Sequence, residues 1–310
     1  MLETHDLSKA FKQMKAVDNV SMYLGKGESV GLLGPNGAGK STMISMISTL
    51  MKPSSGDVLL NGKSILGQTR NVRKILGVVP QEIALYEDLS AFENLQFFGR
   101  IYGLKGKVLK ERIADRLEVV GLTDRKDDLI KTYSGGMKRR INIACALLHD
   151  PEILIMDEPT VGIDPQSRTY ILDMVKSLNE EKGITILYTS HYMEEVERLC
   201  DRIYIMDHGQ IIANGTNDEL KRILSNEEAI YIDVEVPNKA FSDQLLAIEG
   251  IRQVQETTDG VKLMVAKGTR KLPEIFQLAE TLRVNVLNVR VEVPSLEDVF
   301  LHLTGRTLRD

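Results

Sequence analysis

The feature that most constrains this chain is a glycine-rich turn set between an apolar strand and a helix. Ser29-Val30-Gly31-Leu32-Leu33 reads as a buried strand. It leads directly into Gly34-Pro35-Asn36-Gly37-Ala38-Gly39-Lys40-Ser41-Thr42, which fits the pattern G-x-x-x-x-G-K-[ST]. A helix is expected from Thr42 to Leu50. Glycines let the backbone wrap tightly with its N–H groups pointing inward, and the helix end adds partial positive charge at the same point. The turn is therefore suited to a polyphosphate, with Lys40 on the β- and γ-phosphates and the Ser41 hydroxyl on Mg2+. A glycine turn without a ligand is the alternative, and the strand before it and helix after it weigh against that.

Kinases, GTPases and motors share such a loop, so a second element has to narrow the class. Ile153-Leu154-Ile155-Met156 reads as a buried strand ending in Asp157-Glu158-Pro159. Successive side chains leave a strand on opposite sides, so the two acids are expected to do different jobs. Asp157 suits Mg2+, directly or through water, and Glu158 suits polarising the water that attacks a γ-phosphate.

The length of 310 residues points to two domains. Up to about residue 220, short apolar strands alternate with amphipathic helices, an α/β pattern with a sheet covered on both faces. Thr185–Tyr188 and Ile203–Met206 are further strands of this kind. Between about 85 and 150 the reading is mostly helical, with Ala91–Tyr102 and Val108–Val120 as candidates, and an inserted helical subdomain is expected there. From 225 to 310 the order becomes βαββαβ, a small α+β ferredoxin-like domain ending in a helical tail. Its signals are alternating Ile230, Ile232, Val234 and Val236, a helix capped by Asn238, a hairpin at Asp259-Gly260, a helix from Leu272 to Leu282, and alternating Val289, Val291 and Val293. Nothing catalytic stands out in that segment.

Tyr133-Ser134-Gly135-Gly136-Met137-Lys138 opens another helix, with Ser134 as its N-cap and two glycines leaving first-turn N–H groups open. Taken alone it is an ordinary capped helix. Beside the Lys40 turn and the Asp157-Glu158 pair, the chain resembles the nucleotide-binding subunit of an ATP-binding cassette (ABC) transporter over its first 220 or so residues. That resemblance implies a P-loop NTPase cassette, ATP and Mg2+ as ligands, and Ser134, Gly135 and Gly136 contacting ATP held by a second copy. The family's signature is usually Leu-Ser-Gly-Gly-Gln; Tyr133 and Met137 replace its first and fifth residues, as in the drug- and antibiotic-resistance (daunorubicin-resistance-like) branch. Gln81 resembles the glutamine that senses Mg2+ or the attacking water, and Asp164 in Val161-Gly162-Ile163-Asp164 resembles the D-loop acid. His191 resembles the switch histidine on the γ-phosphate, and Phe11 holds the place of the ring that stacks on adenine. The tail Pro294-Ser295-Leu296-Glu297-Asp298-Val299-Phe300 is similar to the ending of the same branch.

The implied function is an ATPase that powers transport, most often export of drugs or antibiotics, through a separate permease. Its implied place is the cytoplasmic face of the membrane. No apolar run is long enough for a span, and two cysteines, Cys145 and Cys200, are too few for a disulfide framework. Thirty-nine Lys and Arg against 44 Asp and Glu leave a net charge of −5, which argues against nucleic acid as a partner. Lys138-Arg139-Arg140 reads as a solvated helix face. An ABC ATPase acting on DNA or ribosomes is the rival. DNA-maintenance relatives carry long heptad coils that are missing between Lys40 and Ser134, and translation factors carry two cassettes. A small-molecule kinase would lack both Ser134-Gly135-Gly136 and the Asp157-Glu158 pair.

Overall fold

A computed structural model describes residues 1–12, 14–224 and 226–305, so Ser225 and the end of the expected second domain from 306 lie outside the described residues. The chain divides into two compact units, Met1–Asn217 and Asp218–Gly305. The first unit opens with β1 (Leu2–Phe11), β2 (Met14–Leu24), β3 (Ser29–Leu33) and α1 (Lys40–Ile47). There follow β4 (Ser55–Leu60), β5 (Lys63–Ser64), α2 (Thr69–Val72) and β6 (Leu76–Val79). A helical stretch carries α3 (Ala91–Ile101), α4 (Gly106–Val119) and α5 (Gly135–Leu147). The unit then runs through β7 (Ile153–Asp157), α6 (Pro165–Glu180), β8 (Thr185–Thr189), α7 (Met193–Leu199), β9 (Arg202–Asp207) and β10 (Gln210–Gly215), and α8 (Asn217–Lys221) lies at the division.

The apolar strands assemble as one six-stranded sheet in the order β10-β9-β3-β8-β7-β6, parallel except for the β9–β10 edge. Strands β3, β7 and β8 are buried along their whole length, which is why their sequences lack polar alternation. A second sheet, antiparallel β2-β1-β4-β5, was not resolved by the sequence pattern. Its bulged registers interrupt the two-residue period from which a strand is read. Both sheets bury α1. Met43, Ile44, Met46 and Ile47 share one core with Val30 and Leu32 of β3 and Leu2 and Leu7 of β1. The helix that follows the glycine turn is thus clamped on two sides.

The helical stretch packs α3, α4 and α5 together. Its α3 begins with a full capping box, Ser90 accepting from the Glu93 N–H and Glu93 accepting from the Ser90 N–H.

The second unit holds β11 (Glu227–Val234), α9 (Lys239–Leu245), β12 (Ile251–Thr257), β13 (Gly260–Ala266), α10 (Leu272–Thr281), β14 (Val286–Glu292) and α11 (Leu296–Thr304). The strands pair antiparallel in the order β12-β13-β11-β14. Ile230, Ile232 and Val234 face the same core as Phe241, Leu245, Ile275 and Ala279, so α9 and α10 cover one face. Asn238 caps α9 by accepting from the Phe241 N–H.

Two expectations fail in detail. Val236 lies beyond the end of β11 and is 70% exposed, while Val291 and Val293 are 52% and 79% exposed. Strand β14 is an edge strand that turns Val286 and Val289 toward the core. The hairpin turn is Thr258-Asp259, with Gly260 already in β13.

Helix α11 is anchored within its unit by a buried ion pair between Lys262 of β13 and Asp298. Asp298 also accepts from the Ser295 N–H in a capping box, and the Lys262 ammonium sits 4.8 Å over the Tyr231 ring. Removing one member of a buried pair strands the other charge. Lys262→Ala should therefore cost about 3–5 kcal/mol. Urea dependence of hydrogen-exchange protection in β13 measures this, and a loss below about 1 kcal/mol, the scale of a solvated pair, would show the pair to be effectively hydrated.

Candidate functional site

Parallel register gathers the predicted residues at one edge of the six-stranded sheet. Leu32 of β3 is level with Thr189 of β8, Thr189 is level with Asp157 of β7, and Met156 is level with Val79 of β6. The turns leaving these strands carry Gly34–Lys40, His191, Glu158 and Gln81. All four therefore leave the carboxyl edge of the sheet, where open α/β sheets place ligands.

Glu158 is the meeting point. Its Oε2 accepts from Gln81 Nε2 at 3.3 Å and lies 3.3 Å from His191 Nδ1, and its Oε1 lies 3.6 Å from Lys40 Nζ. The residue is only 8% exposed. Its φ is 45°, in the left-handed region that costs a non-glycine residue about 1–3 kcal/mol. Thr189 holds this conformation: its hydroxyl accepts from the Glu158 N–H at 2.9 Å and donates to Asp157 Oδ1 at 2.9 Å.

The glycine turn closes on Lys40. Its buried ammonium donates to the carbonyls of Gly34 at 2.7 Å and Pro35 at 3.3 Å. Burial holds the Lys40 pKa below the ordinary lysine value, opposed by the charges of Glu158 and Asp157. Gly39 caps α1 with φ 108°, and a Cβ there would stand 2.3 Å from the Ala16 carbonyl oxygen, so only glycine fits. Helix α1 begins at Lys40, two residues earlier than expected, so the amides of Ser41 and Thr42 are first-turn donors. A cavity of about 280 Å³ lies over the turn, lined by Asn36, Gly37, Ala38, Gly39, Lys40, Ser41 and Thr42 and by Gln81 and Glu158. Phe11, 42% exposed, forms its far wall with Met14 and Ala16.

These residues fit a magnesium polyphosphate. The Ser41 hydroxyl, the Asp157 carboxylate and the Gln81 amide oxygen are hard donors of the kind Mg2+ takes. Among the described residues no three of His, Cys, Asp or Glu cluster as a metal cage, so such an ion would draw its other ligands from phosphate and water. Asp157 is buried behind the cavity lining, which favours the reading through water.

Ser134, Gly135, Gly136 and Asp164 do not line that cavity. Ser134 caps α5, accepting from the Met137 N–H at 3.3 Å, and Ser134 and Gly135 are exposed. Gly136 is buried: a Cβ there would meet Ser167 Oγ of α6 at 2.2 Å, so it serves close helix packing as well as an open N–H. Asp164 caps α6 through the Ser167 N–H at 2.9 Å, a bond that lowers its carboxyl pKa below the usual range. The two capped ends thus lie side by side, and neither lines the Lys40 cavity. Tyr133 fills the core position of the usual leucine, and its hydroxyl donates to the Arg125 carbonyl.

Two residues were missed by the sequence reading. One is Thr189, whose only signal was a polar residue closing an apolar strand. The other corrects the solvated helix face: Arg139 is 3% exposed, and its guanidinium donates to the carbonyls of Pro80 at 2.6 Å and Gln81. Its neighbours are engaged too, Lys138 with Glu87 and Arg140 with the Val120 carbonyl and the Tyr170 ring. The helix that Ser134 caps therefore grips the backbone that carries Gln81.

A model of the ABC transporter family matches residues 17–161, and one of the C-terminal domain of DrrA1-3-like ATP-binding proteins matches residues 215–304. The chain is 50% identical over 315 residues to the linearmycin resistance ATP-binding protein LnrL of Bacillus subtilis (strain 168), covering 100% of both chains. It is 36% identical to the daunorubicin/doxorubicin resistance ATP-binding protein DrrA of Streptomyces peucetius, covering 100% of this chain and 94% of that one. Among solved structures it resembles an ATP-binding cassette in a dimeric post-hydrolysis state bound to ADP and Pi, with TM-score 0.64 and 27% identity over 70% of this chain and 98% of that one. It also resembles an ATP-binding subunit of an ABC transporter, with TM-score 0.65 and 33% identity over 73% and 93%.

Arg139→Met should release the Gln81 backbone and lower ATP turnover by about ten- to a hundredfold, because a misplaced group near the chemistry costs that much. Nucleotide binding by the Lys40 turn should persist, and Arg139→Lys should not fully restore turnover, since a flexible ammonium lacks the rigid planar fork with which the guanidinium meets both carbonyls. Steady-state ATPase assays with a fluorescent nucleotide titration measure both; undiminished turnover in Arg139→Met would show that the grip is dispensable.

Proposed function

Because the chain belongs to the ATP-binding subunits of the ABC transporter family, with a DrrA-like C-terminal domain, we propose that its Lys40 cavity holds Mg-ATP for hydrolysis that drives export. An ABC ATP-binding subunit works with a separate membrane permease and as a pair of cassettes. Among the described residues no helix is long and apolar enough to cross a membrane. We place the subunit at the cytoplasmic face of the membrane, against the permease. The name of the half-identical relative states linearmycin resistance, and we assign this chain the same class of task, export of an antibiotic or drug-like small molecule. In this reading residues 1–224 form the ATP-binding domain and 225–310 an accessory domain, a boundary seven residues beyond the division between the compact units at Asn217 and Asp218.

The observation that carries the reading is the convergence of Lys40, Gln81 and His191 on Glu158 at the mouth of the glycine turn. The amides of Gly37 and of Gly39 to Thr42 and the Lys40 ammonium bind the β- and γ-phosphates, and Phe11 offers a ring face to the adenine. Ser41 and Gln81 would hold Mg2+, with Asp157 reaching it through water, and the ion would neutralise charge on the phosphate oxygens. Glu158 takes the proton of the water that attacks the γ-phosphorus as the bond to the ADP oxygen breaks. Gln81 and His191 keep the carboxylate aimed, and His191 adds a donor for the γ-phosphate.

Ser134, Gly135, Gly136 and Asp164 stand outside the cavity of their own chain, so they are assigned to the nucleotide of a second copy. Two Mg-ATP molecules are then sandwiched, and loss of the γ-phosphate lets the copies part.

Glu158→Gln should slow hydrolysis about a hundredfold or more while retaining nucleotide. It should also accumulate a nucleotide-bound dimer visible by size exclusion with Mg-ATP. Turnover equal to wild type would remove Glu158 from the role of base. Lys40→Ala should lose nucleotide affinity, and an unchanged affinity by fluorescence titration would dismiss the cavity.

A further inference from the structure

Next to this site, and outside it, lies a buried carboxylate that takes three hydroxyl groups at once. Glu195 of α7 is 2% exposed. It accepts from Thr160 Oγ1 at 2.7 and 2.8 Å, from Tyr188 Oη at 2.9 Å and from Ser190 Oγ at 2.7 Å, and Arg168 Nε lies 3.6 Å away. Such burial costs several kcal/mol unless the charge is hydrogen-bonded, and here each oxygen is. The donors come from different elements. Thr160 sits two residues after Glu158, on the segment that leads to Asp164. Tyr188 belongs to β8, and Ser190 immediately precedes His191. Ser190 Oγ also accepts from the Tyr192 N–H at 2.9 Å, so His191 is braced on both sides. The Tyr192 ring lies 4.3 Å from the His191 ring and under the Arg168 guanidinium, also at 4.3 Å.

We propose that Glu195 is a positioning residue for the reaction, acting through His191: its carboxylate ties Ser190 to Thr160 and thereby sets the distance between the His191 imidazole and the Glu158 carboxylate. The inference rests on the reading of the Lys40 cavity as an ATPase site. Its mechanical content is simple. Glu158 and His191 leave neighbouring strands at one edge, and strand pairing ends at the level of Asp157 and Thr189. Beyond that level the backbone ladder no longer sets the spacing of the two turns, and the Glu195 carboxylate links them instead. An ion pair at 3.6 Å also joins the same carboxylate to Arg168 of α6, the helix that Asp164 caps.

Glu195→Gln keeps the volume, yet replaces one acceptor oxygen with a donor that faces hydroxyl groups. The test compares wild type, Glu195→Gln and Ser190→Ala in the full chain. It follows kcat and KM for ATP together with the imidazole cross-peak of His191 in nucleotide-free, histidine-labelled protein. The expected result is a kcat lowered about tenfold, a KM changed little, and a His191 cross-peak displaced in both variants, while that of His302 stays in place. A role confined to stability would lower the melting temperature and leave both kcat and the His191 signal of the folded fraction unchanged, and that result overturns the proposal. So does a lowered kcat with an unmoved His191 signal. If Glu195→Gln does not fold, Ser190→Ala alone decides, since it removes only one of the three hydroxyl donors. Wild-type protein that does not hydrolyse ATP while its variants still displace the His191 signal would refute the ATPase reading and leave the tie standing.

Discussion

The site depends on in-register pairing of parallel strands. Parallel strands send their carboxyl ends to the same edge, and the register here places the ends of β3, β6, β7 and β8 almost level. Residues far apart in the chain therefore leave the sheet within reach of one another: Lys40 after β3, Gln81 after β6, Glu158 after β7 and His191 after β8. A slip of one residue in any strand would turn its side chains to the opposite face and scatter these groups. The clamp of α1 between two sheets adds the second condition, because it fixes the helix end to which the glycine turn is attached.

On that frame the residues of the site are held by buried polar groups whose partners lie far away in the chain. Thr189 spans the two acids, accepting from the backbone of one and donating to the carboxylate of the other. It thereby supports a left-handed glutamate that would otherwise relax. Arg139 and Glu195 play comparable parts at greater distance, one holding carbonyls beside Gln81 and the other holding hydroxyls beside His191. Each is a polar side chain taken out of water and met there by partners fixed in place.

The separation of Ser134 from the Lys40 cavity gives the subunit its incomplete character. One chain presents a glycine turn suited to phosphate and, outside its cavity, a capped helix end next to a second capped end at Asp164. A pair of chains can bring the two kinds of surface to one nucleotide. Arg139 connects them within a chain, since the helix capped by Ser134 also grips the Gln81 backbone.

The parts that were legible in the sequence are those written in local pattern. The glycine turn, the apolar strands, the Asp157-Glu158 pair, the Ser134 and Asn238 caps and the βαββαβ order each follow from residues a few positions apart. Their physics is local too: dihedral preference, side-chain period and unsatisfied amides at a helix end. The sequence likewise carried the resemblance that names the cassette. What tertiary structure alone decided is which polar groups went inside. Arg139 looked like one charge in a basic run until the Pro80 and Gln81 carbonyls met it, Thr189 and Glu195 carried no motif, and Val291 on an edge strand and Val293 just past its end alternated correctly yet stayed exposed. Burial is set by partners distant in the chain, and a residue cannot signal locally which neighbours will take it out of water.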